Sequence, residues 1–215
     1  ATPAAKPKPG PAAQQNSALL GDDDDEPAPQ QKKQQEAIKY PPQLDGGPRP
    51  AISAVAPPIV KAPAGFAAGT VVIDTAGKAL YYVLSSGSAY KYPISVGRVG
   101  FTWTGTEKIS RVASWPDWRP PAEMKQRVPG LPDVMTGGIR NPLGAKALYL
   151  GNSLYRIHGT NDAKTIGQAA SSGCFRMHNG HVVHLAQIAG VGTTVRVLSK
   201  LPSNVASASG KGGNG

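Results

Sequence analysis

From Thr70 to Gly97 the chain reads TVVID, TAGK, ALYYVL, SSGS and AYKYPISVG. These are short runs of β-branched and aromatic residues, separated by turns that carry glycine. Such runs are too short for packed helices, and glycine turns at this spacing join antiparallel strands. The same texture returns in ISRVAS (109–114), ALYLG (147–151), LYRIH (154–158) and TTVRVL (193–198), with Gly151-Asn152 as a hairpin turn between the second and third. Only two segments read as helices. DAKTIGQAAS opens on Asp162, a favoured N-cap residue. NGHVVHLAQIAG opens on Asn179, sets Val182, Leu185, Ala186 and Ala189 on one stripe, and ends at Gly190. The expected fold is mainly β: strands in a mixed sheet with one or two short helices packed against it.

The first 65 residues have a different character. They hold most of the prolines, a single aromatic residue (Tyr40) and an acidic run from Asp22 to Glu26. Such a segment cannot bury enough apolar surface to offset its ordering entropy, which predicts a disordered tether over 1–65. A folded domain is then expected over 66–200, with a flexible glycine- and serine-rich tail over 201–215. Acidic and basic groups balance in the tether, so residues 66–215 carry the whole net charge of +10. A basic domain favours anionic partners. Its cations are scattered singly and not clustered, which argues against nucleic acid and fits attraction to an anionic matrix. There is no apolar run long enough to span a membrane.

Residues 97–145 are irregular and rich in Gly, Pro and Trp. Long irregular stretches inside compact domains tend to be functional. Trp103, Trp115 and Trp118 all fall here, and one or more are expected to wall a cleft. The chain has a single cysteine, Cys174, in SSGCFRMH. Small neighbours on one side and Arg176 on the other predict an exposed, reactive thiol, because a nearby cation favours the thiolate. A thiol nucleophile also needs a base and oxyanion donors. His158 is the candidate base, at the end of a strand and followed by Gly159. His178, His181 and His184 follow the cysteine at a spacing of three, but no acidic or thiolate ligand lies beside them, and the helix would turn His181 and His184 toward solvent. No metal site is expected there.

The segment YRIHGTNDAKTIGQAASSGCFRMHNGHVVHL resembles the active-site segment of the L,D-transpeptidases of the YkuD type, bacterial enzymes that cross-link peptidoglycan. The pattern is His158-Gly159, a gap, then Ser171-Ser172-Gly173-Cys174-Phe175-Arg176-Met177. VVIDTAGKALYYVL, YPISVGR, NPLGAKALYLG and VGTTVRVL are similar to further family elements, so the resemblance covers residues 66–200. Ser172 stands where some subfamilies have a second histidine, and Phe175 where Ile or Val is frequent.

The resemblance implies a YkuD-like β-sandwich and a set of roles. Cys174 would attack the third stem-peptide residue and release the terminal D-alanine. His158 would be its base, oriented by the Gly159 carbonyl. The oxyanion and substrate set would be Gly173, Ser171, Ser172 and Arg176, with the N–H groups of Gly173 and Cys174 as oxyanion donors. No metal and no organic cofactor would be needed. The implied partners are peptidoglycan stem peptides, an outer-membrane protein as a further acyl acceptor, and carbapenems as inhibitors. The implied place is the periplasm or cell envelope, with an export signal removed from a chain that starts at Ala1. Three other outcomes fit the same residues: water as acceptor (a carboxypeptidase), a protein amine as acceptor, and a non-catalytic wall-binding module.

Overall fold

The computed structural model describes residues 42–202. In chain order the elements are β1 (Gln43–Leu44), β2 (Ile59–Lys61), β3 (Val71–Asp74), β4 (Ala79–Val83), β5 (Ser88–Pro93), β6 (Val96–Gly97), β7 (Gly105–Ser114), α1 (Ala122–Arg127), β8 (Val134–Met135), β9 (Lys146–Leu150), β10 (Arg156–His158), a 3-10 turn (Ala163–Thr165), β11 (Ala169–Ser171), β12 (Phe175–Arg176), α2 (Asn179–Ile188) and β13 (Thr194–Leu198). The fold is mainly β with mixed sheets and two helices, as expected.

One sheet runs in the order β12-β10-β9-β7-β13-β3-β4-β5-β2. It is mixed: β13 lies parallel to β3 and β10 parallel to β12, while the other pairs are antiparallel. The period of two along β3 and β4 divides their side chains between two cores. Val71, Ile73 and Leu80 join a large cluster with Ile157, Phe175, Met177, the α2 residues Val182 and Leu185, and Ala189 just after the helix. Val72, Ala79, Tyr81 and Val83 face the other way into a smaller cluster. The helix therefore docks on the half of the sheet that carries His158 and the segment after Cys174.

Three local expectations change. The helix expected from Asp162 is a single 3-10 turn, and the Asp162 side chain caps nothing. Gly167 adopts φ +85°, which breaks the helix, and Ala169–Ser171 goes into a strand beside β6. Within the irregular stretch, AEMKQR forms α1 directly after Pro121, with Glu123 in its first turn and Lys125 and Arg127 in its last, as the helix dipole favours. No side chain of α1 is buried.

The largest difference is at the N-terminal side. Residues 1–41 of the expected tether, and residues 203–215 of the expected tail, lie outside the described residues. Residues 42–65 do not hang free: they pair with the rest of the described chain. β1 pairs in parallel with β8. Gly46 N–H donates to Thr136 Oγ1 at 2.9 Å, Arg49 Nε to Gly137 O at 2.9 Å, and Val55 N–H to Gly180 O at 3.0 Å. β2 then forms the sheet edge on β5. Val60, Ala62 and Phe66 cover the smaller core, as does Leu201 from the expected tail. A proline-rich strap can be fixed this way because backbone hydrogen bonding makes no demand on side-chain hydrophobicity. Deleting residues 1–61 is expected to lower the melting temperature by about 10 °C or more, since several kcal/mol of pairing and burial go with β2. Deleting only 1–40 should change it little; differential scanning calorimetry on both truncations checks this.

Candidate active site

Cys174 and His158 reach the same place by strand pairing. β10 and β12 run parallel, with Ile157 opposite Phe175 and His158 opposite Arg176. Cys174 is thus the last residue before β12, beside the end of β10. Both residues line a cavity of about 650 Å³, together with Arg156, Arg176, Ser171, Ser172, Trp118 and the α1 residues Glu123, Met124 and Arg127.

The imidazole is fixed on several sides. His158 is only 4% exposed. Its Nδ1 lies 2.6 Å from Gly159 O and donates to it, which leaves Nε2 as the basic nitrogen. Its own carbonyl accepts the Met177 N–H at 2.8 Å. The loop after it is held by Asn179. Oδ1 of Asn179 accepts from Ala145 N–H at 3.0 Å and Thr160 N–H at 3.2 Å, and Nδ2 donates to Thr160 O at 3.0 Å. A Cβ on Gly159 would come within 2.1 Å of that oxygen, so this glycine is needed for close approach. Asn179 does not cap α2; His178 takes that position. Asn179→Ala is expected to lower stability by about 2–4 kcal/mol, because it strands two partly buried N–H groups and a carbonyl. Chemical denaturation measures the loss.

The cysteine turn is equally specified. Ser171 Oγ accepts from Gly173 N–H at 3.1 Å and donates to Cys174 O at 2.5 Å. Gly173 has φ +104°, and a Cβ there would lie 2.7 Å from the Tyr155 ring. Tyr155 stacks on Trp103 at 4.5 Å, and Trp103 Nε1 donates to Gly173 O at 3.1 Å. The Gly173 N–H expected to serve an oxyanion is therefore given to Ser171. The Cys174 N–H has no hydrogen-bond partner among the described residues. The thiol itself lies beside Arg156 and makes a long contact from Sγ to Leu154 O at 3.8 Å.

The electrostatics differ from the expectation of a preformed thiolate. Burial pushes the Cys174 thiol up; the guanidiniums of Arg156 and Arg176 pull it back only in part. Burial also pushes His158 down to about 3; the Gly159 carbonyl opposes this, and the same two arginines add to it. The resting pair is a neutral thiol and a neutral imidazole. Two buried charges would have to be desolvated together, and the pocket favours neither. An arrangement of this kind can move one proton from sulfur to Nε2 as the sulfur attacks a carbonyl.

The remaining candidates are dispersed. Trp118 lines the cavity, Trp115 lines a separate cavity of about 470 Å³, and Trp103 lies beneath the cysteine turn. His181 and His184 do not face solvent as expected. They pack against β5: Tyr92 Oη and His184 Nδ1 are 2.8 Å apart, and the His181 ring meets Tyr92 edge-on at 5.7 Å. Among the described residues no group of three or more His, Cys, Asp or Glu side chains is placed to hold a metal. Nor is any helix long and apolar enough to cross a membrane. Arg156 was not singled out in the sequence, and Asn179 only as the opening residue of a helix. Arg156 had a usable signal, since it stands two residues before His158 on a strand and so shares its face.

The model of a family described as the L,D-transpeptidase catalytic domain, YkuD, matches residues 68–197. Probable L,D-transpeptidase YbiS of Escherichia coli (strain K12) is 37% identical over 139 residues, 60% of this chain and 44% of that protein. The chain thus spans less than half of that relative. A crystal structure from Brucella melitensis, described as a probable carnitine operon oxidoreductase caia, is 40% identical and covers 67% of this chain and 94% of its own, with TM-score 0.45. The catalytic domain of an L,D-transpeptidase from E. faecium, solved acylated by ertapenem, is 14% identical over 60% of this chain and 95% of its own, with TM-score 0.47.

Proposed function

Because the chain belongs to the YkuD family of L,D-transpeptidase catalytic domains, we propose that it is a peptidoglycan L,D-transpeptidase acting through a Cys174 thioester. The observation that carries this reading is the placement of a buried, Gly159-oriented His158 and the only cysteine on one cavity. In the first half-reaction Sγ attacks the carbonyl of the third stem residue while its proton passes to Nε2 of His158. The Cys174 N–H and the Arg176 guanidinium would stabilise the developing oxyanion charge. The tetrahedral adduct collapses, the bond to D-alanine breaks, and the imidazolium returns the proton to the departing amine. In the second half-reaction an amine of another stem loses its proton to the same nitrogen and attacks the thioester; the C–S bond breaks, the imidazolium returns the proton to sulfur, and a 3-3 cross-link is left.

The burial that keeps His158 neutral at rest makes the imidazolium short-lived, and its Nδ1–H bond to the Gly159 carbonyl offsets part of that cost. Water or a protein amine, including that of an outer-membrane protein, would resolve the same thioester. Location in the periplasm or envelope follows from the substrate. A carbapenem would acylate the same sulfur; the E. faecium catalytic domain was solved acylated by ertapenem. Intact-mass spectrometry after mixing with a tetrapeptide-stem muropeptide tests the reading. The expected result is an acyl adduct on Cys174 with release of D-alanine. An unmodified protein after prolonged exposure would leave a wall-binding module as the remaining account.

A further inference from the structure

The acyl-transfer reading leaves one half-buried cation without a function. We propose that Arg156 is a specificity-determining residue that holds a free carboxylate of the acyl donor beside the Cys174 thiol. The inference rests on the reading above and goes beyond it by naming what the pocket selects.

Arg156 opens β10, the strand that ends in His158, and lines the same cavity. Its Nε and Nη2 both donate to Leu154 O, at 3.2 and 2.8 Å. That single carbonyl fixes the plane of the guanidinium but supplies no negative charge. The Tyr149 ring lies 5.5 Å from it and gives weak support. Among the described residues the ion pairs are Lys125–Asp133 and Arg140–Asp45, and neither involves this residue. Arg176, on the neighbouring strand, differs: its Nη1 reaches Thr165 Oγ1 at 3.5 Å, and the Asp162 carboxylate supplies it with a nearby negative charge. Arg127 adds a third guanidinium to the lining, and Glu123 on α1 is the only acidic residue there.

Three lining guanidiniums against one lining carboxylate make a cavity that is electropositive where the chemistry happens. Partly buried arginines are ordinarily paired, and these are held in place with donors to spare. A planar fork fixed before the ligand arrives matches the geometry of a carboxylate. The field of Arg156 reaches the sulfur and the imidazole alike, so an anion bound there lies close to the scissile carbonyl.

The donor stem offers carboxylates at two places near that carbonyl. One is the terminal carboxylate of the departing residue. The other is a side-chain carboxylate on the residue that becomes the acyl group. Three synthetic donors separate them: the free acid, the terminal amide, and the side-chain amide with the terminus free. Steady-state acylation of the whole chain by each is compared for wild type, Arg156→Gln and Arg156→Lys. Thermal melts and iodoacetamide labelling of Cys174 verify that each variant is folded.

The expected result is a preference of wild type for the free acid over one of the two amides by about tenfold to a hundredfold in kcat/KM, the worth of one charge-assisted pair. Arg156→Gln should erase that preference by slowing the acid and leaving the disfavoured amide within about threefold. Arg156→Lys should recover part of it, as a charge without the fork. The amide that is disfavoured identifies the source of the carboxylate. If Arg156→Gln slows all three donors equally, or none, Arg156 only ties down the Leu154 carbonyl and the proposal is overturned. If wild type is acylated by none of the three, the acyl-transfer reading itself fails and the proposal falls with it.

Discussion

Replacing His158 with alanine is expected to lower acyl transfer by about 10²- to 10⁴-fold, the usual loss on removing a positioned base. His178→Ala, His181→Ala and His184→Ala should stay within about threefold of wild type when assayed below their melting temperatures. The pH dependence separates the candidates further. Burial holds His158 down to about 3, so kcat/KM should remain level as pH falls through 6.5, where an exposed histidine would take up its proton. An acidic limb centred near 6.5 would place the base elsewhere. Stability follows the same sign. The folded chain resists protonating His158 and the unfolded chain does not, so stability is lost as pH drops from about 6.5 toward 3. His158→Gln removes that component of the slope.

The second large effect concerns the sulfur. A carbapenem is expected to give a one-to-one covalent adduct with the folded protein, and Cys174→Ser should slow its formation at least about a hundredfold. The physical reason is not a resting thiolate, since burial holds the thiol neutral. It is that His158 can take a thiol proton far more readily than a hydroxyl proton, and sulfur is the better nucleophile. His158→Ala should therefore slow adduct formation as well. Mass spectrometry identifies the site without ambiguity, because the chain holds one cysteine. A wild-type protein left unmodified at millimolar drug would show that the thiol lacks activation.

How much of this was legible in the sequence varies with the range of the interaction. Cys174, His158 and Gly159 could be picked out because their context is local: a glycine before the thiol, a strand end before the histidine. The strand pattern and the Gly151-Asn152 hairpin could be read for the same reason. Asn179 could not. It looked like a helix cap, yet its amide works 19 and 34 residues away, on Thr160 and Ala145. Trp103 reaches Gly173 across 70 residues, a contact that no spacing announces. The thiol's resting state was misjudged because proximity of Arg176 in sequence said nothing of burial. Residues 42–65 were assigned to the tether on composition, which measures the capacity to build a core and not the capacity to lie against one built by others.

The cavity has walls of unequal stiffness. On one side stand β10, β12 and the Asn179 cross-link, all backed by the main core. On the other stands α1, with no buried side chain, held by the Lys125–Asp133 pair and by Arg127 over the Phe101 ring at 5.1 Å. Displacing such an element costs little, whereas displacing the opposite wall means unfolding the sheet. A vessel built like this is strict at its back and forgiving at its mouth. It can demand an accurate fit of the few atoms next to the sulfur while letting a branched polymer of varying thickness rest against the yielding side.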